Sequence, residues 1–254
     1  MRQLDGVLLR PVRIGNVLLG KSPVIVLTVA DREAPAQIRK AGRLDARVLE
    51  LRIDRLRKIS PDAVLKRIRL LRKLGRPLIA TIRSSREGGG RLISDPQRLE
   101  LFKKILPEVQ AIDLELSSPW LVKALVPTAR RKGKQVLLSY HNFKSTPSDS
   151  VLLQLVRKAK HEKADLVKLA VTPKKPGDIA RLLLFTQRHR KANLVTIAMG
   201  KRGAVSRVLA PLFGSLLAYT YAGAGRPQAP GQLPLRRLSK ELKRFSRLAA
   251  RSSV

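Results

Sequence analysis

Three side chains in the sequence have the types needed for covalent and proton-transfer chemistry. Lys168 interrupts an apolar run, and an amine desolvated in such a run can attack a carbonyl group to form a Schiff base. His141 ends another apolar run, and an imidazole that titrates near neutral pH suits a general acid or base. Glu87, in a glycine-rich segment, is a carboxylate that could orient the histidine. This set favours a metal-free Schiff-base lyase or aldolase.

Other kinds of catalytic chemistry lack their usual residue patterns. The chain has no cysteine, and two of its three histidines, His161 and His189, lie in basic stretches of helical pattern. It has no phosphate-binding loop of the Walker type and no G-x-S-x-G turn. We therefore predict no metal and no cofactor. The lack of cysteine also excludes a disulfide framework.

Eight short apolar runs alternate with longer amphipathic stretches, and these elements must position the reactive side chains. The runs are Pro23–Ala30, Ala46–Asp54, Pro77–Arg83, Ala111–Leu116, Gln135–His141, Leu166–Thr172, Leu194–Met199 and Gly214–Ala222. The alternation predicts a parallel sheet, and eight repeats in 254 residues predict a closed (β/α)8 TIM barrel. A doubly wound open sheet is the alternative, although no G-x-G-x-x-G turn follows the first run.

Charged side chains share one face of two predicted strands. In Ala46–Asp54, positions 50, 52 and 54 are charged, whereas positions 49, 51 and 53 are apolar. Asp113 and Glu115 share a face in the same way. The apolar faces should pack on helices, so the charged faces should point into the barrel near its C-terminal end, where barrel active sites lie. Buried charges there must be paired or functional.

We predict a single domain over residues 1–254. Its last predicted element is a helix over Pro234–Ala250. The segment 7–20 predicts a hairpin-like extension that closes the barrel bottom, and the glycine-rich loops 84–94 and 222–234 predict lids over the opposite end. The uncharged stretch Val208–Gly225 predicts a short buried helix and a strand rather than a membrane span. No targeting segment is evident, and we expect a cytoplasmic protein.

The formal net charge is +35, with a sequence pI near 11.7. Hydrophobic residues make up 44% of the chain, which excludes a disordered basic tail protein. The basic residues are dispersed and aromatic residues reach only 4%, so we expect at most non-specific contact with nucleic acid. A nucleic-acid-binding protein on a retained barrel scaffold stays open as an alternative.

Several motifs together resemble one family over nearly the whole chain. They are LELRID, TIRSSREGG, IDLEL, SYHNF, VKLAVTP, TIAMGKRGAVSR, FGS and APGQ, in that order. This series resembles type I 3-dehydroquinate dehydratase, the Schiff-base dehydratase of the shikimate pathway. The resemblance implies a hydro-lyase of aromatic amino acid biosynthesis that converts 3-dehydroquinate to 3-dehydroshikimate, and it implies a homodimer. Another barrel Schiff-base enzyme, such as an aldolase, is the alternative.

The resemblance also implies a role for each matching residue. Lys168 would form the imine, His141 would move protons and Glu87 would fix its tautomer. Substrate-binding residues would be Glu50, Arg52, Arg83 (at the ring hydroxyls), Arg207 (at the carboxylate) and Gln232, with Met199 and Tyr219 packed around the ring and Asp113 as a polar neighbour. Tyr219 stands where the family usually has phenylalanine. Gln228 stands where it usually has a substrate-contacting serine, and we include Gln228 among the binding residues.

Overall fold

The computed structural model describes residues 11–31, 38, 45–223 and 227–251, with side chains as far as residue 246. A short hairpin, β1 (Arg13–Ile14) and β2 (Val17–Leu18), comes first. Eight parallel strands follow: β3 (Val24–Val29), β4 (Ala46–Arg52), β5 (Leu78–Thr81), β6 (Ala111–Glu115), β7 (Gln135–Asn142), β8 (Leu166–Val171), β9 (Leu194–Ala198) and β10 (Leu217–Thr220).

The eight strands form a nearly closed barrel, as the alternating pattern predicts. From β3 to β9 each strand pairs with the next, and β10 returns to pair with β3. Between β9 and β10 the contact is made at their N-terminal ends. There, the Leu216 N–H donates to Leu194 O over 2.9 Å, and the Thr196 N–H donates to Ser215 Oγ over 3.0 Å. Closure brings the C-terminal ends of all eight strands to one rim.

Helices surround the barrel, and serine residues cap several of them. They are α1 (Pro61–Arg72), α2 (Asp95–Ile105), α3 (Pro119–Arg131), α4 (Asp149–His161), α5 (Pro176–Arg188), α6 (Gly200–Gly203), α7 (Ser206–Leu212) and α8 (Leu235–Arg251). The hydroxyls of Ser60, Ser94 and Ser148 each accept a backbone N–H from the first turn of the following helix. The predicted helix Pro234–Ala250 is α8, displaced by one residue at each end.

The core has two parts, as the alternation of side chains requires. Outward-facing strand residues such as Leu49 and Leu51 pack with helix residues such as Ile68 in the layer between sheet and helices. A second cluster fills the lower barrel, where Ile14 and Val17 of the hairpin join inward-facing strand residues. The predicted closure of the barrel bottom is therefore confirmed for residues 11–20; residues 7–10 of that segment lie outside the described residues.

The uncharged stretch after residue 208 contains the end of α7 and the whole of β10, which matches the predicted helix and strand. Across the described residues, no helix combines the length and the apolar character that crossing a membrane would need. With the bottom of the barrel packed by apolar residues, the polar side chains of the strands collect at the opposite, C-terminal rim.

Candidate active site

A cavity opens at the C-terminal rim of the barrel. With the exception of Asp113, every residue assigned to the site from the sequence lines it. These residues are Glu50, Arg52, Arg83, Glu87, His141, Lys168, Met199, Arg207, Tyr219, Gln228 and Gln232. Asp113 is fully buried beside the cavity, where it contacts Lys168. Barrel closure thus collects side chains that are far apart in the chain.

Lys168, on β8, is buried and held by two carboxylates and an aromatic ring. Its Nζ lies 3.0 Å from Asp113 Oδ2 and 3.6 Å from Glu50 Oε1. The same nitrogen lies 4.2 Å from the centroid of the Tyr219 ring, a cation–π distance. Glu50 also accepts the hydroxyls of Thr28 and of Thr81, at 3.1 and 3.0 Å. The lysine amine is therefore fixed in position within the cavity.

Arg83 connects Asp113 to the neighbouring strands. Its guanidinium donates to Asp113 Oδ2 at 2.8 Å, to Glu115 Oε1 at 3.0 Å and to Ser139 Oγ at 2.6 Å. Burial alone would raise the pKa of Asp113, but the positive charges of Arg83 and Lys168 hold that pKa well below its usual range. Asp113 is therefore a permanent anion beside the lysine, and Arg83 serves both the cavity and this ion pair.

His141 and Glu87 form a hydrogen-bonded pair at the cavity wall. Glu87 Oε2 lies 2.8 Å from His141 Nδ1 and accepts the His141 backbone N–H at 3.0 Å. The Ser117 hydroxyl donates to the other carboxylate oxygen. A carboxylate so placed accepts a hydrogen bond from Nδ1–H and leaves Nε2 as the ring nitrogen with a lone pair. This geometry suits a general base.

Burial shifts the two members of this pair in opposite directions. It raises the pKa of Glu87 to about 7. It lowers the pKa of His141 well below the usual value, and the positive charges of Arg83 and Lys168 add to that effect. The first proton added to the pair therefore goes to the carboxyl group, and the imidazole stays neutral over a wide pH range.

Arg207, on α7, is a buried cation whose guanidinium is only partly satisfied. One terminal nitrogen donates to Pro230 O at 3.0 Å, whereas Nε has no hydrogen-bond partner among the described residues. Within the same part of the chain, no carboxylate forms an ion pair with it. Burial lowers its pKa to about 10, so it remains protonated at neutral pH. An anionic group entering the cavity would find its charge partner here.

The loop after β5 is held against the barrel by Asp54, which the alternating pattern placed on the cavity face. That placement is wrong, because β4 ends at Arg52 and a 3-10 turn breaks the two-residue alternation. Asp54 is fully buried, pairs with Arg52 at 2.7 Å and accepts the N–H groups of Arg83 and Gly90. At Gly89 a Cβ atom would lie 2.2 Å from Arg83 O, so only glycine fits.

The loop before α8 covers the other side of the cavity. Gln232 Oε1 accepts the backbone N–H groups of Gln228 and Ala229 at 2.8 and 3.2 Å. Gly231 has a φ of +73°, and a Cβ there would lie 2.2 Å from Gly200 O. Gln228 holds Gln232 through its backbone, so a serine at this position could make the same contact. The Gln228 side chain, which is larger than that of serine, is buried at the cavity wall.

Arg98 and Ser139 support the site from behind, and only Ser139 has a signal in the sequence. Arg98, on α2, is fully buried and pairs with Glu115, which Arg83 also contacts. Ser139 bridges Arg83 and Asp113. The same two-residue alternation that identifies His141 also points to Ser139, whereas nothing in a basic amphipathic helix distinguishes Arg98. Within the described ranges, no three His, Cys, Asp or Glu side chains are grouped to hold a metal ion.

Comparisons with known proteins identify the family of the chain. The family model for Type I 3-dehydroquinase matches residues 24–248. The 3-dehydroquinate dehydratase of Methanothermobacter thermautotrophicus is 38% identical over 216 residues, which cover 82% of this chain and 91% of that protein. The corresponding protein of Aquifex aeolicus is 32% identical over 225 residues, which cover 89% of this chain and 100% of that protein.

Solved structures give the same result in three dimensions. The 3-dehydroquinate dehydratase of Geobacillus kaustophilus superimposes with a TM-score of 0.85 at 28% identity, covering 93% of this chain and 96% of that one. The type I enzyme of Clostridium difficile, solved with covalently modified comenic acid, has a TM-score of 0.85 at 27% identity and covers 94% and 98%. Sequence, barrel and rim cavity thus agree, and the chain belongs to the type I 3-dehydroquinase family.

Proposed function

We propose that this protein is a 3-dehydroquinate dehydratase that removes water from 3-dehydroquinate through a Schiff base on Lys168. The observation that carries the proposal is the buried Lys168 amine, which lines the same cavity as the Glu87–His141 pair. Family membership supports the substrate and the hydro-lyase reaction. The covalently modified ligand in the Clostridium difficile enzyme supports covalent chemistry in this family.

In the proposed reaction, the Lys168 amine adds to the substrate ketone and water leaves, which gives a protonated imine. The imine makes the adjacent C–H acidic, and His141 removes that proton to form an enamine. The enamine expels the β-hydroxyl group, which leaves as water with the proton returned by His141. A second water then hydrolyses the imine, releasing 3-dehydroshikimate and the free amine.

The other cavity residues bind and orient the substrate in this proposal. Glu87 keeps the Nδ1 proton of His141 in place, so that Nε2 acts as the base. Arg207 takes the substrate carboxylate, because it is a cation without a carboxylate partner among the described residues. Arg83 and Gln232 contact substrate hydroxyls from opposite walls. Residues 1–254 act as one catalytic domain, which we expect to be a cytoplasmic homodimer.

The residues alone also left a barrel aldolase open. An aldolase is found among the structural neighbours, but the deoxyribose phosphate aldolase of Aeropyrum pernix is only 19% identical, with a TM-score of 0.54. Such a likeness supports the barrel and not the reaction. The dehydratase is therefore the function we propose, and a substrate panel that includes aldol substrates would separate the two.

The proposal predicts an adduct on one defined lysine. After mixing with 3-dehydroquinate and borohydride, intact mass should rise by one reduced adduct, and peptide mapping should place it on Lys168. Lys168→Met should fold, lose the adduct and lose turnover by about 10³-fold or more, because the nucleophile is gone. Circular dichroism checks the fold.

A second lysine provides a matched control. Lys160, on α4 away from the cavity, is a partly buried lysine whose pKa burial lowers to about 8. Lys160→Met should keep both the adduct and the turnover. An adduct that maps to Lys160, or turnover that survives in Lys168→Met, would contradict the proposal.

A further inference from the structure

Tyr219, on β10, carries a buried hydroxyl group without a hydrogen-bond partner among the described residues. The residue is only 3% exposed, so bulk water does not solvate the hydroxyl. Burying an unpaired hydroxyl group is unfavourable, and most such groups in folded proteins are paired. A phenylalanine, which the family resemblance leads us to expect here, would fill the same space without that cost.

The hydroxyl belongs to a side chain that lines the candidate active site. Tyr219 contributes to the cavity wall, and its ring lies under Lys168 Nζ. Arg207 Nε, in the same cavity wall, likewise has no partner in the described part of the chain. Two unsatisfied donors from different elements therefore lie at one cavity.

The electrostatic surroundings make the tyrosine a hydrogen-bond donor rather than an anion. Burial raises the pKa of Tyr219 well above its usual value, and the negative charges of Glu50 and Asp113 raise it further. The phenol therefore stays protonated over the whole working pH range. A neutral O–H without a partner suits an oxygen acceptor on a ligand.

We propose that the Tyr219 hydroxyl donates a hydrogen bond to a hydroxyl or carboxylate oxygen of the bound substrate, and that Tyr219 is thereby a binding and specificity residue of this chain. The ligand class is a cyclic keto acid that carries hydroxyl groups. This inference rests on the proposed function, and it adds a contact that a phenylalanine at this position could not make.

The proposal predicts opposite effects of Tyr219→Phe on stability and on binding. In the free protein, the substitution removes an unpaired buried hydroxyl, so Tm should rise by about 2–5 °C. With substrate, the substitution removes a contact made in both the ground state and the transition state. KM should therefore rise about 10-fold, with kcat changed less than about threefold. A purely structural role for the hydroxyl would lower Tm instead.

Tyr140→Phe provides the matched control. Tyr140 lies outside the cavity, and its hydroxyl oxygen accepts a hydrogen bond from Asn142 Nδ2 at 3.0 Å. Removing a satisfied hydroxyl should lower Tm and leave KM unchanged. The pair of variants therefore separates the loss of a tyrosine hydroxyl from the loss of a substrate contact.

The experiment measures Tm, kcat and KM for the wild-type protein and both variants, with 3-dehydroquinate and with analogues that each lack one ring hydroxyl. A raised Tm with a raised KM in Tyr219→Phe supports the inference. If removing one ring hydroxyl from the substrate raises KM for the wild-type protein but not for Tyr219→Phe, that hydroxyl is the acceptor. An unchanged KM overturns the inference while wild-type turnover leaves the proposed function intact. A wild-type protein without dehydration activity overturns both.

Discussion

Among single residues, most of the buried cations in and behind the cavity are paired with carboxylates. Arg52, Arg83, Arg98 and Lys168 each contact a carboxylate in the described structure. Removing one partner of such a buried pair leaves the other uncompensated, which explains why these charges occur as a network. Arg207 forms no ion pair with a carboxylate in the described part of the chain, which is why we propose it, rather than the paired cations, as the group that binds the substrate carboxylate.

His141→Ala tests the proton-transfer step. Turnover should fall by about 10²–10⁴-fold, because the proton next to the imine has no positioned base. The covalent adduct should still form on Lys168 and should accumulate, which intact mass spectrometry would detect. His161→Ala, at the exposed end of α4, is the control and should turn over normally. Rapid turnover by His141→Ala would exclude this histidine as the base.

The pH dependence reports the Glu87–His141 pair. With the pKa of Glu87 near 7, the pair takes up a proton as pH falls through neutrality, and His141 then no longer has an acceptor for its Nδ1 proton. The acid limb of kcat/KM should therefore lie near pH 7. In Glu87→Gln only His141 of this pair titrates, and its pKa lies well below the usual histidine value. The acid limb of kcat/KM should therefore shift to lower pH, while maximal activity falls. An acid limb that stays in place would show that Glu87 does not set it.

Among the elements, strand ends carry most of the cavity side chains, and one helix outside the barrel contacts the rim residues from behind. Arg98 on α2 shows this most clearly, because it donates to Glu115 and to Ile82 O while fully buried. Glu115 in turn accepts from Arg83 and from the Ser84 N–H. A helix on the outside of the barrel thus positions the rim residues through one buried guanidinium.

Arg98→Met should therefore destabilise the protein more than a surface charge change does. It leaves Glu115 without one of its two arginine partners, and breaking such buried pairs costs about 3–5 kcal/mol of unfolding free energy. Lys103→Met on the same helix breaks the exposed pair with Glu100 and should cost about 0–1 kcal/mol. Urea unfolding followed by circular dichroism would compare them. Equal effects of the two substitutions would contradict a supporting role for Arg98.

At the scale of the whole molecule, part of the charge has a local structural reason. The helices α1 to α5 end in basic residues, among them Arg72, Lys104, Arg131, Lys160 and Arg188. Four of these helices carry aspartate in the first turn. Both placements complement the helix dipole. Positive charge thus collects at the bottom of the barrel, which accounts for part of the +35 net charge without a nucleic-acid partner.

Such a strongly positive molecule should attract its anionic substrate over a long range. Raising ionic strength from about 0.02 to 0.3 M shortens the screening length to under about 10 Å, so kcat/KM should fall several-fold. The effect should appear in KM, while kcat changes little. Steady-state kinetics in two chemically different salts at equal ionic strength would check it. A flat response would show that the field of the protein does not concentrate the substrate.

Local sequence patterns were enough to predict the barrel and the candidate residues for its chemistry. Strand and helix periodicities depend on neighbours within a few residues, so they can be followed along the chain. Lys168 and His141 stand out because each is a polar group in an apolar run. The motif series also identified the family, because order along the chain is a property of sequence.

Which of these groups meet depends on the folded arrangement of the chain. Glu87 and His141 pair across 54 positions, and Lys168 pairs with Asp113 across 55, so both contacts depend on how strands remote in the chain are placed in the sheet. The alternating pattern predicted Asp54 at the cavity, but the 3-10 turn after β4 breaks the alternation and Asp54 instead contacts the loop after β5. That the Tyr219 hydroxyl has no hydrogen-bond partner among the described residues likewise follows from the positions of neighbouring segments. Partners are set by distances between remote segments, and these are fixed by packing rather than by the order of residues.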